Sequence, residues 1–336
     1  MIDGLRTRIA SDRERSVAAW DRFWFAPRSV APLAFLRVAL GVVIALWGLS
    51  LLPDARAFLG PEGVLPEVPE VRARVGLLQF WRTDLAATVV VAGLIPAGLA
   101  VAIGWRTRAA TIIAYLLLLS VARRDPWMLN SGDALLRHAT LFLAFTPAGS
   151  VLSVDRWRRD RTRFWEVPHA APWGLRFLQI QITTVYLFSV FEKLRGDKWT
   201  SGTALADAWR ITDLARVGVP LPIYDSMVLT NVMTLSTLVI ELALAVLLWN
   251  RRARVYVVVA GVLLHLGIEL TMAVGFFSTV AVTLYLSFTA EDTAERWLAA
   301  IRARLAVSRL PGMHRLAATG GAPTPVAGPR SDAAIG

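Results

Sequence analysis

Apolar runs recur along this chain, separated by short charged joints, and most are long enough to cross the ~30 Å hydrocarbon core of a bilayer, which takes ~20 helical residues. They fall at about residues 30–52, 83–104, 108–122, 132–148, 173–193, 231–249, 254–273 and 275–290. Inside lipid every backbone N–H and C=O must be satisfied within the protein, so only helices and closed barrels can span. Barrel strands would show ~10-residue segments of strict alternation, and the runs show none. The expected fold is therefore all-α: a polytopic integral membrane helical bundle of about eight transmembrane helices. Composition agrees, because 55% of the 336 residues are hydrophobic and 18% are charged, against ~25% charged in soluble domains.

The net charge is +11. The arginines punctuate apolar spans and form no separate basic domain, which argues for membrane lipids, anionic headgroups included, and against nucleic acid. There are no cysteines, so disulfides, thiol catalysis and cysteine metal sites are excluded. No cleavable signal peptide is expected, since the first apolar run exceeds an h-region.

Charge also orients the chain. Arginine collects at residues 6–28, at Arg106 and Arg108, from Arg156 to Arg163, and at Arg251, Arg252 and Arg254. The alternate loops are diluted by acids such as Asp54, Glu62, Asp197, Asp207 and Asp225. The positive-inside rule then places both termini in the cytoplasm of a multi-pass protein of the cell inner membrane. Four segments follow: a cytoplasmic amphipathic lead-in (1–28) with Trp20, Phe23, Trp24 and Phe25 as interfacial anchor, a transmembrane domain (29–292), a cytoplasmic basic amphipathic helix (293–316) and a disordered tail (317–336). The loop 194–229, with Trp199, Leu205, Trp209, Ile211, Leu214, Val217 and Val219, is too apolar to stand free and is expected to pack against the bundle.

Ionisable groups at membrane depth are costly, and each is a candidate for function or for pairing with another. Lys193 stands out, because only Lys193 and Lys198 are lysine among 36 basic residues. Arginine stays charged, whereas a desolvated lysine can release its proton and act as a base. Gln179, Gln181, Thr183, Thr184, Tyr186 and Ser189 make the fifth span the most polar. Within it Tyr186, Ser189 and Lys193 are spaced by three and four and share one helical face. Other candidates to line a cavity are Arg37, Asn130, Asp133, Arg137, Glu241, His265 and Glu269. His265 and Glu269 are four apart, and the expected outcome is a hydrogen-bonded pair rather than a metal site, which needs a further ligand.

Several strings together resemble one family. They are Arg37; Leu129-Asn130-Ser131-Gly132-Asp133 before Leu135-Leu136-Arg137; Phe145-Thr146-Pro147-Ala148-Gly149 before Leu152-Ser153-Val154-Asp155; Arg176 through Gln179-Ile180-Gln181 to Tyr186; Lys193-Leu194 before Trp199 and Gly202-Thr203; then His265 and Gly275-Phe276-Phe277-Ser278. In this order the chain resembles the horizontally transferred transmembrane (HTTM) domain, related to the membrane part of vitamin-K-dependent gamma-carboxylase, over roughly residues 15–295. The resemblance implies a membrane enzyme using a lipid-soluble quinone or hydroquinone, with Lys193 at the position of the carboxylase base. This chain differs in lacking a histidine beside Asn130 and in ending soon after the last span, without the carboxylase's beta-rich portion, and both differences argue against peptide carboxylation. Bacterial relatives include a family similar to sporulation-delaying-protein B, implicated in maturing a secreted peptide toxin. That implies the alternative reading, a non-enzymatic membrane partner for maturing or exporting a secreted peptide. A transporter is a third reading, but inverted repeats and paired interrupted helices are not evident.

Overall fold

The computed structural model describes residues 2–66, 76–128, 130–218, 223 and 225–307, with side chains from residue 12 onward. The lead-in is one helix, α1 (Ile2–Trp24), followed by a two-residue strand β1 (Arg28–Ser29) and the first long apolar helix, α2 (Ala31–Leu51). Short helices α3 (Ala55–Leu59) and α4 (Leu77–Phe80) lead to α5 (Asp84–Ile103), α6 (Thr107–Arg124), α7 (Ser131–Ala144) and the short α8 (Val154–Arg159). Strand β2 (His169–Ala170) pairs antiparallel with β1, and α9 (Trp173–Leu194) follows. The long loop holds α10 (Asp197–Thr200) and α11 (Ala204–Trp209). The bundle closes with α12 (Met227–Leu247), α13 (Arg254–Thr271), α14 (Phe277–Tyr285) and the basic helix α15 (Glu291–Val307).

Each expected span falls on a helix, and among the described residues 5 helices are both long and apolar enough to cross a membrane: α2 with its extension to Leu59, α5, α9, α12 and α13. The others fall short for identifiable reasons. Helix α6 carries Arg108, Arg123 and Arg124 near its ends, α7 has 14 residues, and α14 with its continuation to Phe288 is a shorter apolar helix. The outer faces support a lipid environment. Val228, Val232 and Val239 on α12 and Val255, Tyr256 and Leu266 on α13 are exposed, forming apolar surface of an extent that soluble proteins seldom show.

Without a hydrophobic drive between helices in lipid, close packing needs small residues at the contact. Helices α2 and α5 meet this way. A Cβ on Gly41 would lie 2.4 Å from the Ala102 backbone nitrogen, and one on Gly98 would lie 2.6 Å from the Gly41 carbonyl oxygen. Helix α7 starts with a capping box: Asn130 Oδ1 accepts from the Gly132 and Asp133 amides at 2.7 and 3.2 Å, and Asp133 Oδ2 accepts from the Asn130 amide at 2.9 Å. The free Asp133 oxygen accepts from Trp47 Nε1 at 2.6 Å, which ties α7 to α2.

The lead-in docks its aromatic end on the bundle. The Trp24 and Phe177 ring centroids are 5.4 Å apart, those of Phe23 and Trp249 are 5.9 Å apart, and Trp20 stays exposed. The long loop is stitched to the end of α13 by backbone bonds from the Arg216 amide to the Thr271 carbonyl (3.0 Å) and from the Ala273 amide to the Leu214 carbonyl (2.7 Å). Ile211, Leu214 and Val217 nonetheless remain exposed, and Val219 lies outside the described residues. The expected disordered tail and the last residues of the 293–316 segment also lie outside them.

Candidate functional site

The polar face of α9 points inward, toward α12, α13 and α14. Helical spacing places Tyr186, Ser189 and Lys193 in line, and all three find partners across the bundle. Lys193 Nζ forms an ion pair with Glu241 Oε1 of α12, whose side chain is 5% exposed against 19% for Lys193. The second Glu241 oxygen accepts from Ser189 Oγ at 3.1 Å. The ammonium also lies 4.6 Å from the Trp199 ring centroid, on the loop after α9, within reach of a cation–π attraction.

This cluster sits on the wall of an apolar cavity of about 570 Å³. The long loop roofs it with Trp199, Leu205 and Trp209, and Met233, Leu263 and Phe277 line it from the bundle. A second groove, of about 770 Å³, lies on the other side of Lys193, walled by Phe142, Phe177, Ile180 and Phe188. Ser189, Lys193 and Phe277 line both. Lys193 thus stands at the partition between a roofed chamber and a groove between α7 and α9. Gln181 and His138 are among the polar groups in that groove. Gln181 Nε2 donates to the Leu135 carbonyl at 3.1 Å, and its buried Oε1 has no hydrogen-bond partner.

One turn deeper is a second polar cluster. Tyr186 Oη bonds both His265 Nε2, at 2.7 Å, and the Tyr285 hydroxyl. All three residues are buried, and His265 Nδ1 has no partner. Gly261 makes room, since a Cβ there would come 2.7 Å from Tyr285 Oη. The expected His265–Glu269 pair does not form. Glu269 turns to the long loop, where Arg216 Nη2 is 2.9 Å from its carboxylate, while His265 faces the tyrosines. Tyr285 was not among the sequence candidates; a lone tyrosine in a short apolar span was the available signal.

The remaining candidates lie elsewhere. Asn130 and Asp133 form the cap of α7, and Asn130 Nδ2 also donates to the Val274 carbonyl at 3.0 Å. Arg137 is half-buried on α7 and lines neither cavity. Gln179 bridges Arg176 and the Ser287 carbonyl, each at 2.7 Å, toward the arginine-rich end. Arg37 is fully buried at that end, donating to the Val101, Ala102 and Leu152 carbonyls at 3.0, 2.9 and 2.5 Å. Beside it Asp155 accepts from the Arg106 amide (2.6 Å) and from the Thr107 amide and hydroxyl (both 2.7 Å). Partial burial opposes the charge on Asp155, but these donors and the Arg37 guanidinium outweigh it and hold its carboxyl below the usual range.

No curated protein and no solved structure matches the chain. A family model described as the HTTM domain matches residues 25–292, which take in every helix from α2 to α14 and all the side chains of the Lys193 cluster. The chain belongs to the HTTM domain family.

Proposed function

We propose that this protein is a membrane enzyme in which Lys193 acts as general base toward a lipid-soluble, quinone-like cofactor. The observation that carries the reading is the position of Lys193: one amine, among apolar walls, at the boundary between a chamber of about 570 Å³ and a larger groove. Pockets of ~300–1,000 Å³, mostly apolar with a few placed polar groups, suit small-molecule ligands. A ring with an apolar substituent fits this donor set, because Trp199, Trp209, Met233 and Phe277 offer apolar contact and Lys193 offers the polar end. Such a group would supply an acidic hydroxyl and redox capacity.

The chain's own residues handle the proton. An ammonium–carboxylate pair and an amine–carboxylic acid pair both carry zero net charge, so a proton can pass from Lys193 Nζ to Glu241 without leaving an unpaired charge in an apolar site. The free amine can then take a proton from a hydroxyl placed in the chamber. Ser189 orients Glu241, and Trp199, Leu205 and Trp209 of the 194–229 loop cover one side of the chamber.

The ion pair also supports the alternative, in which Lys193 is a strut between α9 and α12 and the protein assists maturation or export of a peptide without catalysis. Substitution separates the two. A base must give up its proton and arginine cannot, so Lys193→Arg should lose function as fully as Lys193→Ala at matched membrane expression. Full function in Lys193→Arg leaves the strut. Lipid extracts of the purified protein, analysed by mass spectrometry, should contain a quinone that the Phe277→Trp variant, with its chamber narrowed, fails to retain.

A further inference from the structure

The arginine-rich end of the bundle holds a further cavity, which Lys193 does not line. It has a volume of about 410 Å³ and is lined by Arg28, Arg176, Arg251 and Arg254 against Glu291 and Asp292. The carboxylates are already matched. Glu291 pairs with Arg28 at 3.1 Å and accepts the Ser29 amide at 3.1 Å, and Asp292 pairs with Arg251 and Arg296, each at 3.0 Å. Among the described residues no carboxylate lies within ion-pair distance of Arg176 or Arg254. Both are half-buried and held in place by neutral acceptors. Arg176 donates to the Phe23 carbonyl (3.2 Å) and Gln179 (2.7 Å), and Arg254 to the Leu248 and Phe288 carbonyls (2.8 and 2.7 Å). Two fixed guanidinium groups thus share a pocket without a directly bonded carboxylate, Glu291 acting on Arg176 only from beyond ion-pair distance.

Arg251, Arg254, Phe288, Thr289, Ala290 and Asp292 also line the head of a separate groove of about 510 Å³. That groove is walled by Val255, Val259 and Val262 of α13, by Val282 and Leu286, and by Trp297 of α15. A polar, cationic chamber and an apolar groove along one helix face thus adjoin, with these residues bordering both.

We propose that this composite site binds an anionic glycerophospholipid, with its phosphodiester between Arg176 and Arg254 and one acyl chain in the α13–α14 groove. Guanidinium groups match phosphate oxygens in geometry and charge, and an anionic headgroup brings no cation of its own to oppose the arginines. Free phosphate would use the chamber and leave the groove unused. Arg176 is 17 residues before Lys193 on α9, so the lipid site and the Lys193 chamber lie about 25 Å apart at ~1.5 Å per residue.

The test is native mass spectrometry of the full chain in neutral detergent with equimolar phosphatidylglycerol and phosphatidylcholine. Phosphatidylglycerol should be retained roughly tenfold better, equivalent to about 1.4 kcal/mol. Arg176→Gln/Arg254→Gln should bring the two lipids to parity, while Arg176→Lys/Arg254→Lys should keep a preference. Val262→Trp, a surface change that fills the groove, should lower retention of both lipids, and millimolar inorganic phosphate should not displace phosphatidylglycerol. Equal retention of the two lipids by the unaltered protein overturns the proposal, even where the glutamine variant fails to fold. Displacement by inorganic phosphate, with retention unchanged in Val262→Trp, overturns it in favour of a free phosphate site.

Discussion

Lys193 and Glu241 are 48 residues apart in sequence and meet as an ion pair across the contact between α9 and α12. Glu192 is adjacent in sequence but pairs with Arg195 at 3.3 Å, and among the described residues Asp197 forms no ion pair with Lys193. Among the described residues the sole carboxylate held by Lys193 is therefore a buried one on a long apolar helix. Such a pair is costly to keep and more costly to break.

Glu241→Gln leaves an ammonium without its counter-charge and should destabilise the protein by about 3 kcal/mol or more. Replacing both partners by apolar residues of similar size, Lys193→Met with Glu241→Leu, should recover most of that loss while abolishing any proton transfer. Thermal unfolding in detergent measures both. A Glu241→Gln protein as stable as the unaltered one would mean that the pair is not buried as described.

Tyr285→Phe removes the hydroxyl that bonds Tyr186 and should cost about 1–2 kcal/mol. Tyr186→Phe should cost more, because it also strips the bond to His265 Nε2 and leaves a buried imidazole with no partner at either nitrogen. Gly261→Ala tests the same cluster from the backbone. Its methyl would press on Tyr285 Oη and Leu244, an overpacking worth about 1–3 kcal/mol. The order of unfolding temperatures across the three variants checks the assignment.

Asp155 gives a pH dependence at the opposite end. Its folded pKa is depressed, so its contribution is complete at neutral pH, starts to fall near the unfolded value of ~3.9 and is gone below the folded value. Asp155→Asn should lower stability by about 1–3 kcal/mol at pH 7. The gap between the two proteins should close as pH falls below ~4. A gap that persists unchanged into acid would assign the effect to lost hydrogen bonds rather than to charge.

Topology follows from arginine. Reporter fusions after Arg163 and after Arg254 should both read cytoplasmic. These points follow α8 and the loop between α12 and α13, and a periplasmic signal at either would change the number of helices that cross.

The sequence by itself determined where the helices lie and which face of α9 is polar. Apolar run length sets the spans, and a 3.6-residue period puts Tyr186, Ser189 and Lys193 on one side whatever surrounds them. The order of short motifs was enough to place the chain in its family. Periodicity says which way a side chain points, and no more. What faces it depends on how distant helices cross, and in α2 and α5 that crossing is set by the close approach at Gly41 and Gly98.

Tertiary structure therefore decided the partners. Glu241 became the counter-charge of Lys193 because α12 packs along α9. His265 turned to Tyr186 and Tyr285, and away from Glu269 four residues on, because α14 brings a second hydroxyl into the interior while Arg216 draws Glu269 to the long loop. Asn130 and Asp133 are cavity-lining candidates in the sequence, but the orphaned amides at the start of α7 seek local acceptors and claim them first. The Lys193 chamber itself exists because α10 and α11 fold back over α12; the apolar residues of the 194–229 loop signal that it packs on the bundle, but the helices it covers are set by long-range packing.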